Sequence, residues 1–255
     1  MSRLLKALPL ALALAALGIF TPSCGSSTPA QVRFVNALQD TAQYGTALDF
    51  EFNGTKEFTD IEFQGVQPPS GYTKVPSGSD SVEGLETGTT TEVFRSDVSL
   101  NGGTQYTLVA TGFATSTSKV AIISATDKNA APASGNVEFR IINASPSGPN
   151  GIPGAVDIYM VPVGSNTGLT SATLIVSKLA YRSTSSYVTL PYNPNLVNGF
   201  NYTMSVTATG STTPIFSQDL SAGNSTVGAI RTLVLTDQQN IDQLNQLAIV
   251  LNDLN

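Results

Sequence analysis

Few residues of this 255-residue chain could do chemistry. It has no histidine, which removes the commonest general base and the commonest transition-metal ligand. A single cysteine, Cys24, can form neither a disulfide within the chain nor a thiolate metal cluster. Ser116-Thr117-Ser118-Lys119 matches the S-x-x-K spacing of a serine-lysine nucleophile, which needs a neutral lysine and a serine at a helix start. Here the segment is a Ser/Thr-rich loop with neither an S-D-N nor a K-T-G companion, and it reads as a loop. The acidic residues form no D-x-D-x-D-G run for Ca²⁺. Nor does any pattern single out a carboxylate pair for glycoside hydrolysis. No catalytic residue, metal site or cofactor site is expected.

Cys24 has a different chemistry in view. Arg3 and Lys6 give a positive start, Leu8 to Phe20 is apolar, and Thr21-Pro22-Ser23 leads to the cysteine. The apolar run is short for a membrane span and has the length and flanks of a secretory signal. This start resembles that of bacterial lipoproteins, which are cleaved before a cysteine that then carries lipid. Ser23 supplies the small residue before it, while Thr21 and Pro22 depart from the usual leucine and small residue. The resemblance implies lipid attachment at Cys24, with two or more acyl chains for stable anchoring. The alternative is an ordinary secretory signal that leaves Cys24 a free thiol. Gly25 to Gln31 is a Ser/Gly/Thr/Pro-rich tether of about 25 Å at full extension. Gly25, rather than an acid, directly after the cysteine resembles the default outer-membrane sorting signal.

A second group of residues recurs. Val32-Arg33-Phe34-Val35-Asn36-Ala37 returns as Phe139-Arg140-Ile141-Ile142-Asn143-Ala144, and Ala47-Leu48-Asp49-Phe50 as Ala155-Val156-Asp157-Ile158. Arg33 and Arg140 alternate with the inward residues of their strands, so they point outward, as do Asp49 and Asp157. An Arg–Asp cross-strand pair in each copy is the expectation, structural and weak. Asn36 and Asn143 fall at inward parity, where an amide satisfies loop backbone as in an Asx turn; ligand binding is the alternative. Asp97 and Asp219 recur and are expected to open or cap turns. Tyr44, Tyr72, Tyr187 and Tyr192 lie in or beside loops, where they either cover an edge or stack on a sugar or partner protein.

Strands must position these residues. Charged residues make up only 12% of the chain, and Gly, Ser, Thr and Asn are plentiful, a palette for short strands and turns. Leu48, Phe50 and Phe52 alternate with Asp49 and Glu51 as a half-buried strand does. Further strands are expected near residues 58–66, 72–75, 81–86, 92–100, 105–111 and 119–125, with a turn at Asn101-Gly102-Gly103. Residues 127–135 read as a linker. Beyond it, Tyr187 to Pro191 answers Tyr72 to Pro76, and Thr209 to Phe216 answers Thr87 to Phe94. The same comparison lays Leu247 to Val250 on Val120 to Ile123, which makes the tail a strand rather than a helix. The expected organisation is a signal peptide at 1–23, a lipid-anchored tether at 24–31, a β-sandwich at 32–127, a linker at 128–136 and a second β-sandwich at 137–255. The fold class is all-β, two tandem Ig-like antiparallel sandwiches.

The paired openings, each followed by an A-[LV]-D-[FI] strand and a Y-x-x-[VL]-P segment, resemble a bacterial family known as domain of unknown function 4397. That resemblance implies secreted or lipid-anchored β-sandwiches, often in tandem, and brings no catalytic residues. The net charge of −6 becomes −8 once Arg3 and Lys6 are cleaved away. With no basic cluster, the chain lacks the footprint for nucleic acid. The expectation is a non-catalytic cell-envelope protein, held to the membrane by lipid and in the outer membrane; plain secretion is the alternative place. Its partner would be an envelope protein or a glycan. The rival functions are a carbohydrate-binding module and a surface hydrolase using carboxylates.

Overall fold

The computed structural model describes residues 28–39, 47–114, 120–146, 154–162, 169, 172–192, 202–220, 228–237 and 247–253. The signal segment, Cys24, Tyr44 and the loop Ser116 to Lys119 lie outside the described residues. Every element among the described residues longer than a turn is a strand, as the composition predicts.

The first nine strands are β1 (Ala30–Gln39), β2 (Ala47–Phe52), β3 (Thr55–Glu62), β4 (Val66–Gln67), β5 (Thr73–Val75), β6 (Gly78–Glu86), β7 (Glu92–Leu100), β8 (Gln105–Phe113) and β9 (Ala121–Thr126). They form an inner sheet β4-β1-β8-β9, with β5 also on β1, and an outer sheet β3-β2-β6-β7. The next nine are β10 (Asn136–Asn143), β11 (Val156–Pro162), β12 (Thr173–Leu179), β13 (Ser183–Thr184), β14 (Val188–Pro191), β15 (Tyr202–Ala208), β16 (Pro214–Asp219), β17 (Ile230–Thr236) and β18 (Leu247–Asn252). They repeat the same plan: an inner sheet β13-β10-β17-β18 with β14 on β10, and an outer sheet β12-β11-β15-β16. Most neighbours are antiparallel, but each inner sheet has one parallel pair, β1 with β8 and β10 with β17. The parallel pair arises because the chain visits the outer sheet between those strands. Asn101-Gly102-Gly103 makes that return from β7 to β8, so it is an arch between sheets rather than a hairpin. A Cβ on Gly102 would lie 2.3 Å from the Thr28 carbonyl oxygen, so only glycine lets the arch pack against the entering chain.

Apolar alternation explains three cores. Val32, Phe34 and Leu38 of β1 face Leu48, Phe50, Phe52 and Phe58 of the outer sheet. Phe139 and Ile141 of β10 face Ile158, Met160 and Val206 in the same way. The opposite faces of β1 and β10 pack against each other: Val35, Ala37, Val109 and Ile123 meet Ile142, Ala144, Val234 and Leu251. The two inner sheets therefore lie back to back, and β1 and β10 are buried on both faces. Their near-continuous apolar runs are the signature of that double burial.

The expected Arg–Asp cross-strand pairs do not form. Arg33 and Arg140 sit on inner sheets, whereas Asp49 and Asp157 sit on outer sheets, so the strands are not neighbours. The outward parity of the arginines is right, but the space they point into belongs to the other inner sheet. Asp97 is not a cap either; it lies mid-strand in β7 opposite Ser81. The tail is the strand β18, one residue off the expected alignment. Thr107 beside Arg33 faces Ala125, and Thr232 beside Arg140 faces Leu251, so β18 matches residues 121–126 rather than 120–125.

Candidate binding groove and the buried hub beside it

The one-residue correction brings Asp127 into correspondence with Asp253. Both carboxylates lie between the inner sheets, with Arg33 and Arg140 each 2% exposed. Arg33 Nη2 donates to Asp253 Oδ1 at 2.7 Å, to Thr107 Oγ1 at 2.7 Å and to Asp127 Oδ2 at 3.2 Å, and Nη1 donates to the Asn252 carbonyl at 2.6 Å. Arg140 reciprocates: its Nη2 donates to Asp127 Oδ1 and to Thr232 Oγ1, and its Nη1 to the Thr126 carbonyl at 2.7 Å. Each threonine hydroxyl passes its proton to the nearby carboxylate, Thr107 to Asp127 at 2.7 Å and Thr232 to Asp253 at 2.6 Å. Tyr72 and Tyr187 donate to the same two carboxylates at 2.8 Å, and their rings lie beneath the Arg33 and Arg140 guanidiniums. Each arginine thus meets an acid and a carbonyl on the opposite nine strands, as in a two-fold self-complementary interface.

All four carboxylate oxygens of this hub are bonded and the cluster is closed to water. That arrangement suits a lock and not acid–base chemistry. Two arginines balance two acids, and removing one partner leaves a buried charge unpaired, a loss of about 3–5 kcal/mol. Burial raises the pKa of the Tyr72 hydroxyl far above the ordinary phenol value, and the Asp127 charge adds to it. Burial likewise raises Tyr187, against the partial opposition of Arg140. The Ala/Pro/Asn-rich surroundings of Asp127 read as a linker. Composition marks the segment's conformation correctly but is blind to one carboxylate turned inward.

Asp49 and Asp157 staple hairpins. Asp49 accepts from the backbone N–H of Asp60 at 2.9 Å, from Gly88 N–H at 3.2 Å and from Lys56 Nζ at 2.7 Å. Asp157 accepts from Lys178 N–H at 2.7 Å and Gly210 N–H at 2.9 Å. Asp60 and Lys178 hold positive φ at a bulge, and these carboxylates fix their amides there. Burial pushes both carboxyls up, yet the hydrogen bonds together outweigh it and hold both pKa values below the usual range. Asn36 and Asn143 face inward as parity predicts, but three of their four backbone partners lie in strands rather than loops. Their side-chain amides donate to the Ile61 and Leu179 carbonyls at 2.9 and 3.1 Å and accept from Leu38 and Ser145 N–H. Tyr192 packs partly buried against the second core.

An open feature among the described residues lies elsewhere, between β12 and β13–β14. It is a groove of about 400 Å³ lined by Ile175, Val176, Ser177, Lys178, Leu179, Ala180, Ser183, Ser185, Ser186 and Val188. Strand register explains its origin. Phe50 pairs with Phe58 in the first outer sheet and Ile158 with Val176 in the second, so Val176 stands where Phe58 does. Phe34, Phe50 and Phe58 stack with ring centroids 4.1 and 5.6 Å apart about Phe34, and they fill the first sandwich. Ile141, Ile158 and Val176 have less volume, and the second sandwich stays open at that edge. No sequence signal pointed to this groove, because it is defined by what Val176 lacks relative to Phe58. Among the described residues, no group of three or more His, Cys, Asp or Glu could hold a metal ion. Among them, too, no helix is long and apolar enough to cross a membrane.

Comparison with known proteins adds a family. The family described as domain of unknown function (DUF4397) matches residues 30–159. No curated protein matches the chain. Two solved structures show a distant likeness. One, described as alpha-glucan recognition by family 41 carbohydrate-binding modules from streptococcal virulence factors, is 11% identical at a TM-score of 0.24, over 85% of this chain and 95% of that one. The other, a family 26 module from Eubacterium rectale Amy13K in complex with maltoheptaose, is 12% identical at a TM-score of 0.23, over 88% and 96%. Likeness at that level carries no argument about ligand.

Proposed function

The chain belongs to the DUF4397 family, and from that premise we propose that it is a lipid-anchored cell-envelope protein with a binding role and no catalytic activity. The observation that carries the binding role is the groove beside β12, an open face of aliphatic and serine side chains in one half whose counterpart in the other half is filled. A duplication into two tandem sandwich domains, 32–127 and 137–255, is supported by the recurring strand order and by the separate cores of the two sets. The hub supports a rigid unit in which the two sets of strands keep a fixed orientation to each other.

Anchoring rests on the sequence around Cys24. Acyl chains there would hold the protein at a leaflet, outer membrane in this reading, and residues 24–31 would lift it clear. Against a surface hydrolase stands the hub, where the clustered carboxylates Asp127 and Asp253 are bonded at every oxygen. The test of anchoring is fractionation of native envelope from cells making wild type or Cys24→Ala, with mass analysis of the N-terminal peptide. Wild type should sediment with membranes and carry acyl mass on Cys24, and the variant should be released. Equal membrane retention would refute the anchor.

A further inference from the structure

The edge strands β3 and β12 have the same place in the two outer sheets and opposite protection. β3 reads Thr55-Lys56-Glu57-Phe58-Thr59-Asp60-Ile61-Glu62 and carries four charges; β12 reads Thr173-Leu174-Ile175-Val176-Ser177-Lys178-Leu179 and carries one. Leu174, 46% exposed, stands where Lys56 does. Charged residues on an edge strand block pairing with another chain, and an apolar edge invites it.

The first half also closes its edge by a hydrogen-bond device. The Gln67 carboxamide donates from Nε2 to the Thr59 carbonyl at 2.7 Å and accepts at Oε1 from Thr59 N–H at 3.3 Å. One side chain thus imitates a residue of a neighbouring strand. By register, Ser177 stands where Thr59 does and Ser185 where Gln67 does. Ser185 is too short to reach, and its hydroxyl donates to the Ser186 carbonyl while it accepts from Ile141 N–H. Among the described residues no such bracket spans Ser177, which lies on the end strand of its sheet and lines the groove.

We infer that β12 and its groove take an extended peptide segment of a partner protein, added as a further strand to the β12-β11-β15-β16 sheet. This deepens, and rests on, the reading of the protein as a binding module. A peptide backbone offers at every second residue the N–H and C=O pair that Gln67 supplies internally in the first half. Small aliphatic side chains on one face of the strand enter the groove against Ile175, Val176 and Val188. Lys178, the one charge in the lining, stands where Asp60 does and selects a peptide with an acidic group beside it. A glycan is the poorer fit: the described lining holds serine hydroxyls but no aromatic ring.

The test uses the full mature chain in detergent and capped ten-residue peptides of alternating Val and Thr, with one Glu stepped along the sequence. Fluorescence anisotropy reads peptide binding, and a glycan array is read on the same proteins. Peptides should bind wild type, and Val176→Phe with Ser185→Gln, which rebuilds the first half's closure, should weaken binding at least about tenfold. Leu174→Lys lies on the surface, leaves the core intact and should weaken binding severalfold. N-methylation of one alternate set of peptide amides should abolish binding, and of the other set should spare it. The inference is overturned if no peptide binds, if the closed variant binds equally, or if both methylated sets behave alike. Glycan binding lost in the closed variant, with no peptide binding, would overturn the peptide and leave the binding module standing. If neither ligand distinguishes wild type from the closed variant, the groove-based reading falls as well.

Discussion

The two sets of nine strands share a topology and a lock but differ in how they finish their cores. In the first, Phe34, Phe50, Phe52, Phe58 and Phe94 are all buried, and only Val120 and Ile122 at its margin are partly open. In the second, Val176, Tyr192, Tyr202 and Phe216 are among several core members left partly open. One substitution pair shows why. Gly84 and Val206 hold matching places, and a Cβ on Gly84 would lie 2.2 Å from the Phe94 ring. Glycine lets Phe94 sink; Val206 keeps its counterpart Phe216 near the surface. The same scaffold supports a filled sandwich or a grooved one by exchange of a few volumes.

Where the halves agree, disruption from either side should cost the same. Arg33→Ala and Arg140→Ala should each destabilise by about 3–5 kcal/mol in urea unfolding, because each strands a buried carboxylate. A loss from one side only would break the two-fold equivalence of the hub. Where the halves differ, changes at equivalent places should have unequal costs. Phe58→Val should cost about 2–3 kcal/mol through a cavity. Val176→Phe should cost nothing and narrow the groove, which thermal unfolding and a structure of the variant would check. Gln67→Ser, which opens the first edge, should cost about 0.5–1 kcal/mol, the two hydrogen bonds lost being exposed.

The pH response should report on two features that the halves share. Asp49 and Asp157 have lowered pKa values in the fold, so the stability they bring is present above the unfolded carboxyl range near 4 and lost as pH falls through the folded values. Tyr72 and Tyr187 have raised values, so stability should fall as pH climbs past about 10, where the unfolded phenols ionise and the folded ones do not. Tyr72→Phe and Tyr187→Phe should each flatten the alkaline limb of a denaturation series.

Much of this was legible in the sequence. Alternation at Leu48, Phe50 and Phe52 revealed an outer strand, recurrence turned the tail into β18, and parity turned Asn36 and Asn143 inward, though onto strand backbone more than loop. The arginines show the limit of such reading. Parity on one strand says which face a side chain takes, not whether water or another sheet lies beyond it. The hub acids were hidden by a slip of one residue in aligning β18, because the apolar run Leu247 to Leu251 matches its counterpart nearly as well in either register. Asp127 then fell opposite Leu254 instead of Asp253. The groove needed the register of β12 against β11 before Val176 could be set beside Phe58.

The central claim, that one edge is closed and its counterpart open, is tested most directly by amide hydrogen exchange in the full chain, read residue by residue by NMR. Ser177 N–H should exchange at least about tenfold faster than Thr59 N–H, and Ser185→Gln should slow it toward the Thr59 rate. Equal protection of the two amides in wild type would contradict the account.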